Sequence, residues 1–249
     1  MEDVDARRTE GKGPKSRRSL PGEYEAMKFL KKRDHILMVD NSKHMREFKV
    51  QVLNVFANLA HILEAADPNG LDVICTSDPG NMQHNRATER LVQFVQNNFD
   101  KGASSPCYIE PALKILVDKI ISKLPSGPGE KKGLRSWIKN ENARPISIYV
   151  LTSGVWDSSP GAQDGTCGAD RPINQLITEL KRRNLHKNQV AFQFIRFGNY
   201  ATGIERLKFL DNSLGKPDHD IIDHKPSNGG VWPMLVGSLD EGNDREDDT

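Results

Sequence analysis

The segment 33–45, Arg-Asp-His-Ile-Leu-Met-Val-Asp-Asn-Ser-Lys-His-Met, constrains the fold more than any other stretch of the chain. Ile36 to Val39 is an unbroken apolar run between polar residues. Such a run suits a strand covered on both faces, as in the middle of a parallel sheet. Asp40 follows at once, and Asn41 and Ser42 are residue types that cap a helix by accepting hydrogen bonds from its free N–H groups. Phe48, Val52, Phe56, Leu59 and Leu63 then recur at steps of three or four, which predicts an amphipathic helix over about 43–66. Asp40 and Ser42 are thereby expected in the turn at the carboxyl end of a buried strand, where open α/β sheets bind ligands.

The rest of the chain continues this alternation. Leu71 to Thr76 reads as a second strand, with Asp78-Pro79-Gly80 turning the chain away from it. Thr88, Leu91, Val92 and Val95 predict a helix over about 85–98, followed by a loop from Phe99 to Pro106 and a helix over 109–124. Ile146 to Leu151 and Val190 to Phe197 are further apolar strands, separated by a helix marked by Ile173, Leu176, Ile177 and Leu180. A helix over 201–213, a short edge strand from Asp220 to Ile222 and a final helix from Val231 to Leu239 complete the pattern. The expected fold class is α/β: a Rossmann-like, doubly wound, mainly parallel sheet flanked by helices on both faces. Residues 33–239 form the expected domain, with 125–144 as an inserted loop. Residues 1–22 and the acidic segment 240–249 read as disordered tails.

Composition narrows the partners. The 249 residues carry a formal net charge of +1, so no global field selects nucleic acid or an anionic membrane. Cys75, Cys107 and Cys167 are odd in number and far apart, which gives neither a disulfide framework nor zinc-ligand spacing and favours a reducing compartment. The charged start has no apolar core of a secretion signal, and no apolar run approaches the ~20 residues of a membrane helix. An intracellular, cytoplasmic location is expected. No Gly-x-Gly-x-x-Gly follows the first strand, so a dinucleotide cofactor is not expected.

Asp40-x-Ser42 at the first turn resembles the opening motif of the von Willebrand factor A family, Asp-x-Ser-x-Ser, which begins a metal-ion-dependent adhesion site. The resemblance implies two further metal-binding loops and a protein partner that docks on their rim. A hard cation such as Mg²⁺ wants oxygen ligands in octahedral array. This sequence departs from the pattern in all three loops. His44 stands where the second Ser belongs, Cys107 where a Thr belongs, and Ser153, within Thr152-Ser153-Gly154, where a carboxylate belongs. Imidazole and thiol are poor ligands for Mg²⁺. The resemblance therefore implies a degenerate site, in which Asp40, Ser42, Ser105 and Thr152 could hold Mg²⁺ weakly or not at all. The segments Thr152 to Asp157, Gln193 to Gly198 and Asn228 to Trp232 are similar to a fungal group of A-domain-like proteins.

Two other constellations carry chemistry on paper. His44 and Cys107, expected on one sheet edge, could form an imidazole–thiol pair, but neither a third orienting group nor an oxyanion-hole motif accompanies them. His219, Asp220, Asp223 and His224 resemble metal ligands as text, yet alternation along a strand would send the two histidines to opposite faces. The expected function is a non-enzymatic protein-interaction module. Its rim would be built from Asp40, Ser42, His44, Cys107, Ser153, Trp156 and Asp157, and its partner would be a protein of unspecified identity. A weakly Mg²⁺-dependent adhesion module and a small-substrate enzyme using His44 and Cys107 are the alternatives.

Overall fold

The computed structural model describes Val4 and residues 21–126, 143–157, 168–215 and 218–239. Six strands, β1 Asp34–Val39, β2 Leu71–Cys75, β3 Asp78–Asn85, β4 Ile146–Thr152, β5 Val190–Arg196 and β6 Ile222–Pro226, form one sheet. Their order is β3-β2-β1-β4-β5-β6, with all neighbours parallel except the antiparallel pair of β2 and β3. This is the doubly wound arrangement expected from the alternation of apolar strands and helices.

Seven α-helices cover the sheet among the described residues: α1 Glu23–Leu30, α2 Lys49–Ala66, α3 Thr88–Gly102, α4 Ile109–Lys123, α5 Asp170–Arg182, α6 Ala201–Ser213 and α7 Val231–Val236. Strand periodicity divides the core in two. Ile36, Met38, Ile148, Val150, Phe192 and Phe194 face α4, α5 and α6. Leu37, Val39, Tyr149, Leu151 and Ile195 face α1, α2, α3 and α7. Val52, Phe56, Leu59 and Leu63 are fully buried on α2, the stripe that the sequence pattern marks.

Several elements differ from the sequence expectation. The first turn of the helix expected over 43–66 is a separate 3₁₀ segment, Lys43–Phe48, ahead of α2. Asp78 to Asn85 is an edge strand that turns straight back on β2, not a turn leading into a helix. Its residues have little β preference, and Pro79 is tolerated because an edge strand leaves one row of backbone groups unpaired. The helix expected over 85–98 is displaced to Thr88–Gly102 and takes up half of the expected loop. The last strand lies at Ile222–Pro226 and not at 220–222, with Phe192 opposite Ile222. The packed unit also begins ahead of residue 33, because Ala26 and Leu30 of α1 and the isolated Val4 are buried in the core. Pro21 and Gly22 of the expected tail lead into α1, with the Pro21 carbonyl accepting from the Trp232 indole N–H. The remainder of the expected tails, the body of the 125–144 loop and Cys167 lie outside the described residues.

At the amino-terminal edge of the sheet, Arg33 ties β1 to β4. Its Nε donates to Ser147 Oγ at 2.7 Å, and its guanidinium donates to the Ile146 carbonyl at 2.9 Å. His35 is 1% exposed, with Nε2 3.0 Å from the Leu30 carbonyl and Nδ1 3.3 Å from the Tyr149 hydroxyl. Since a carbonyl can only accept, the Nε2 position carries the proton. No helix among the described residues is long and apolar enough to cross a membrane.

Candidate functional site

The strand order reverses between β1 and β4, and doubly wound sheets open a crevice at such a point beyond the strand ends. Asp40 leaves β1 there, its backbone N–H donating to the Leu151 carbonyl at 2.9 Å. Thr152 ends β4 beside it, and Thr76 leaves β2 on the other side, donating to the Val39 carbonyl at 3.0 Å. The register that pairs Val39 with both Cys75 and Leu151 is what brings these three residues to one edge.

Asp40 is fully buried. Its Oδ1 accepts from the Ser42 backbone N–H at 3.1 Å, and its Oδ2 accepts from the Thr152 hydroxyl at 2.9 Å. Burial pushes the Asp40 carboxyl up from its ordinary pKa, while hydrogen bonds from Ser42, Thr152 and the Cys107 thiol act in the opposite direction. Thr152 Oγ1 also accepts from the Gly154 N–H at 3.1 Å and from the Trp156 indole N–H at 2.9 Å. With one proton donated and two accepted, that hydroxyl has no lone pair to spare.

The second loop contributes Cys107, as its spacing suggested. The thiol is buried against Asp40, Ser42 and Thr76. Burial first, and then the Asp40 charge and hydrogen bond, push its pKa well above the usual thiol range. A thiol so placed stays protonated, which argues against the nucleophile reading. Ser105 enters through its backbone, its carbonyl accepting from the Lys43 N–H at 2.9 Å. Ser42 Oγ is buried without a well-formed hydrogen bond, although it lies close enough to Asp40 to help hold the carboxylate.

Asp157 turns back to the rim, which nothing in the sequence required. Its Oδ2 accepts from the Cys107 N–H at 2.9 Å and lies 3.1 Å from His44 Nε2. Its Oδ1 accepts from Lys43 Nζ at 2.9 Å. Burial alone would raise this carboxyl, but the bonds from Lys43, Cys107 and His44 outweigh it and hold Asp157 below the usual carboxylate range.

The seven expected rim residues do cluster, but they divide by exposure. Asp40, Ser42, Cys107, Ser153 and Trp156 are buried, whereas His44 and Asp157 are about a quarter exposed at 27% and 26%. Trp156 is wedged between Thr152 and Arg206, whose guanidinium lies over the indole and donates to the Trp156 carbonyl at 2.9 Å. Lys43, Thr76 and Arg206 escaped the sequence reading. Lys43 directly follows Asp40-x-Ser42, which was the one available signal.

The textual group at 219–224 does not assemble. His224 Nδ1 bonds Asp211 at 2.8 Å, whereas His219 precedes β6 and lies 3.3 Å from the Leu185 carbonyl. No group of three or more His, Cys, Asp or Glu among the described residues could hold a metal ion.

The third loop is held from behind by backbone contact. A Cβ at Gly203 of α6 would lie 2.1 Å from the Ser153 carbonyl oxygen. Gly203→Ala is therefore expected to destabilise the domain by about 2–3 kcal/mol through overpacking. Urea unfolding checks this, and a midpoint unchanged from the wild type would show that the loop yields freely.

No family model matches this sequence, and no curated protein matches it. Among solved structures, the chain is similar to proximal thread matrix protein 1 from the mussel byssus, solved with a zinc-occupied MIDAS motif, at 12% identity and a TM-score of 0.45. That match covers 84% of this chain and 48% of the mussel protein. It is also similar to the pilus adhesin SpaC of Lactobacillus rhamnosus GG at 11% identity and a TM-score of 0.45, covering 84% of this chain and 29% of the adhesin. The chain thus spans less than half the length of these solved proteins.

Proposed function

We propose that this protein is a non-enzymatic interaction module of the A-domain kind, whose switch-point crevice works without a metal ion and whose rim contacts a protein partner. One observation carries the reading. The positions that would feed oxygen ligands to a hard cation are already joined to one another, since Thr152 Oγ1 is saturated by Asp40, Gly154 and Trp156. A cation entering there would have to break those bonds and settle for one carboxylate, with a thiol as neighbour, which suits Mg²⁺ poorly. The kinship with fungal A-domain-like proteins rests on sequence segments alone. A reducing, intracellular setting is supported by the free, buried Cys75 and Cys107.

Titrating Mg²⁺ into the protein by calorimetry to millimolar concentration tests the metal-free reading. The expected outcome is no saturable heat and a melting midpoint unmoved by chelator. A second reading, weak Mg²⁺ binding, is favoured by the buried Ser42 Oγ, which lies beside Asp40 and makes no well-formed hydrogen bond. Saturable heat that disappears in Ser42→Ala would establish it and end the metal-free reading. For the partner, lysine cross-linking of the captured complex is expected to map to Lys43, Lys49 and Lys101 around the rim. Cross-links confined to Lys123, at the far end of α4, would move the interface to the opposite edge.

A further inference from the structure

Three donors from two different loops converge on one carboxylate at the rim. Lys43 Nζ and His44 Nε2 lie just past β1, and the Cys107 backbone N–H lies just before α4. Their common acceptor is Asp157, from the loop after β4. An ammonium, an imidazole and a backbone N–H within about 3 Å of a carboxylate form a receptor for that group. The receptor faces solvent, with Lys43 45% exposed, His44 27% and Asp157 26%. Arg206 adds a further positive charge behind it, bound to the carbonyl of Trp156, the residue before Asp157. The carboxylate that fills the receptor is carried by the same chain and reaches it by the turn from Thr152 to Asp157. It is held by partly exposed pairs of the kind worth little individually in water, so an incoming acid can compete with it.

We propose that the Lys43–His44–Cys107 niche is a binding site for an acidic side chain, Asp or Glu, of a protein partner, and that Asp157 occupies it as an internal stand-in when no partner is bound. The proposal rests on the interaction-module reading and gives it a ligand class. Recognition here would use the protein's own cationic groups in place of a bound metal ion. Displacement requires no covalent step: the Asp157 carboxylate leaves to solvent and the partner's carboxylate takes over its three hydrogen bonds.

The test uses a fluorescein-labelled tetraglutamate peptide as probe and reads fluorescence anisotropy at low salt in the presence of chelator. Asp157→Asn keeps the size of the stand-in and removes its charge, so it is expected to tighten probe binding about fivefold over the wild type. Adding Lys43→Ala or His44→Ala to Asp157→Asn is expected to abolish that gain. An Asp157→Asn protein that binds no better than wild type overturns the proposal, as does a gain that survives both second substitutions or appears only with Mg²⁺. Should Asp157→Asn fail to fold, a ¹⁵N titration of the wild type with N-acetylglutamate amide decides. Shifts centred on the amides of Lys43, His44 and Cys107 support the niche, and their absence overturns it. Failure here leaves the metal-free interaction module standing, because that reading is judged by Mg²⁺ heats and cross-link positions.

Discussion

Replacing Asp40 with alanine is expected to lower the unfolding free energy by about 2–4 kcal/mol in the absence of any metal ion. The reason is local. The Ser42 N–H and the Thr152 hydroxyl both donate to this carboxylate at the closed end of the crevice. Removing the acceptor leaves two buried donors unsatisfied, each costing about 1–3 kcal/mol. Part of that loss is offset, because burying the carboxylate is itself unfavourable and its removal relieves that cost. Urea unfolding with and without Mg²⁺ measures the outcome. A loss under about 1 kcal/mol would show that the Asp40 cluster is not a structural keystone. A loss seen only when Mg²⁺ is present would mean that Asp40 serves a cation.

Acid is expected to weaken the fold through His35, by about 3 kcal/mol between pH 7 and pH 4. Burial lowers the His35 pKa to about 4 from an ordinary value of 6.5, against the favourable bond to the Leu30 carbonyl. The folded state therefore keeps the ring neutral where the unfolded chain would protonate it. A depressed folded value means that the contribution is fully present above pH 6.5, declines as pH falls through the window from 6.5 to 4, and is exhausted below about 4. The shape of the site makes the same point. Nε2–H already donates to Leu30 O, and a second proton on Nδ1 would place a net charge inside a closed core, where His35 is 1% exposed. His35→Gln should lower stability at pH 7 yet flatten the slope across that window. A variant that keeps the wild-type slope would assign the acid sensitivity elsewhere.

The fold was largely legible because its strongest signals are local and periodic. Ile36 to Val39 is an apolar run, and Ile146 to Leu151 and Val190 to Phe197 are short, mostly apolar segments, which suits strands of a sheet buried on both faces. The α2 stripe follows from spacing alone. The β3 strand was illegible because Asp78 to Asn85 carries no alternation and is exposed along most of its length. It is a strand because β2 offers it a ladder, which is a tertiary circumstance. The α1 helix lies in residues 23–32, to which the sequence expectation assigned no element, because its short stripe, Ala26 and Leu30, becomes apolar surface worth burying only once α2 and α7 are in place.

At the site, the apolar segments of the sequence determined which residues stand at the carboxyl ends of the strands, and hence that Asp40 and Thr152 would meet at one edge; the resemblance to the A-domain family implied that Cys107 would join them. The sequence also determined the chemical types there: one carboxylate, one thiol and several hydroxyls. Only the tertiary structure decided how those groups spend their hydrogen bonds. Thr152 is saturated by the Trp156 indole, and Asp157 folds back onto Lys43, His44 and the Cys107 N–H. The physical reason is one of range. Apolar periodicity is written along neighbouring residues, whereas a hydrogen bond from Cys107 to Asp157 joins positions 50 apart and exists only after the sheet has set its register.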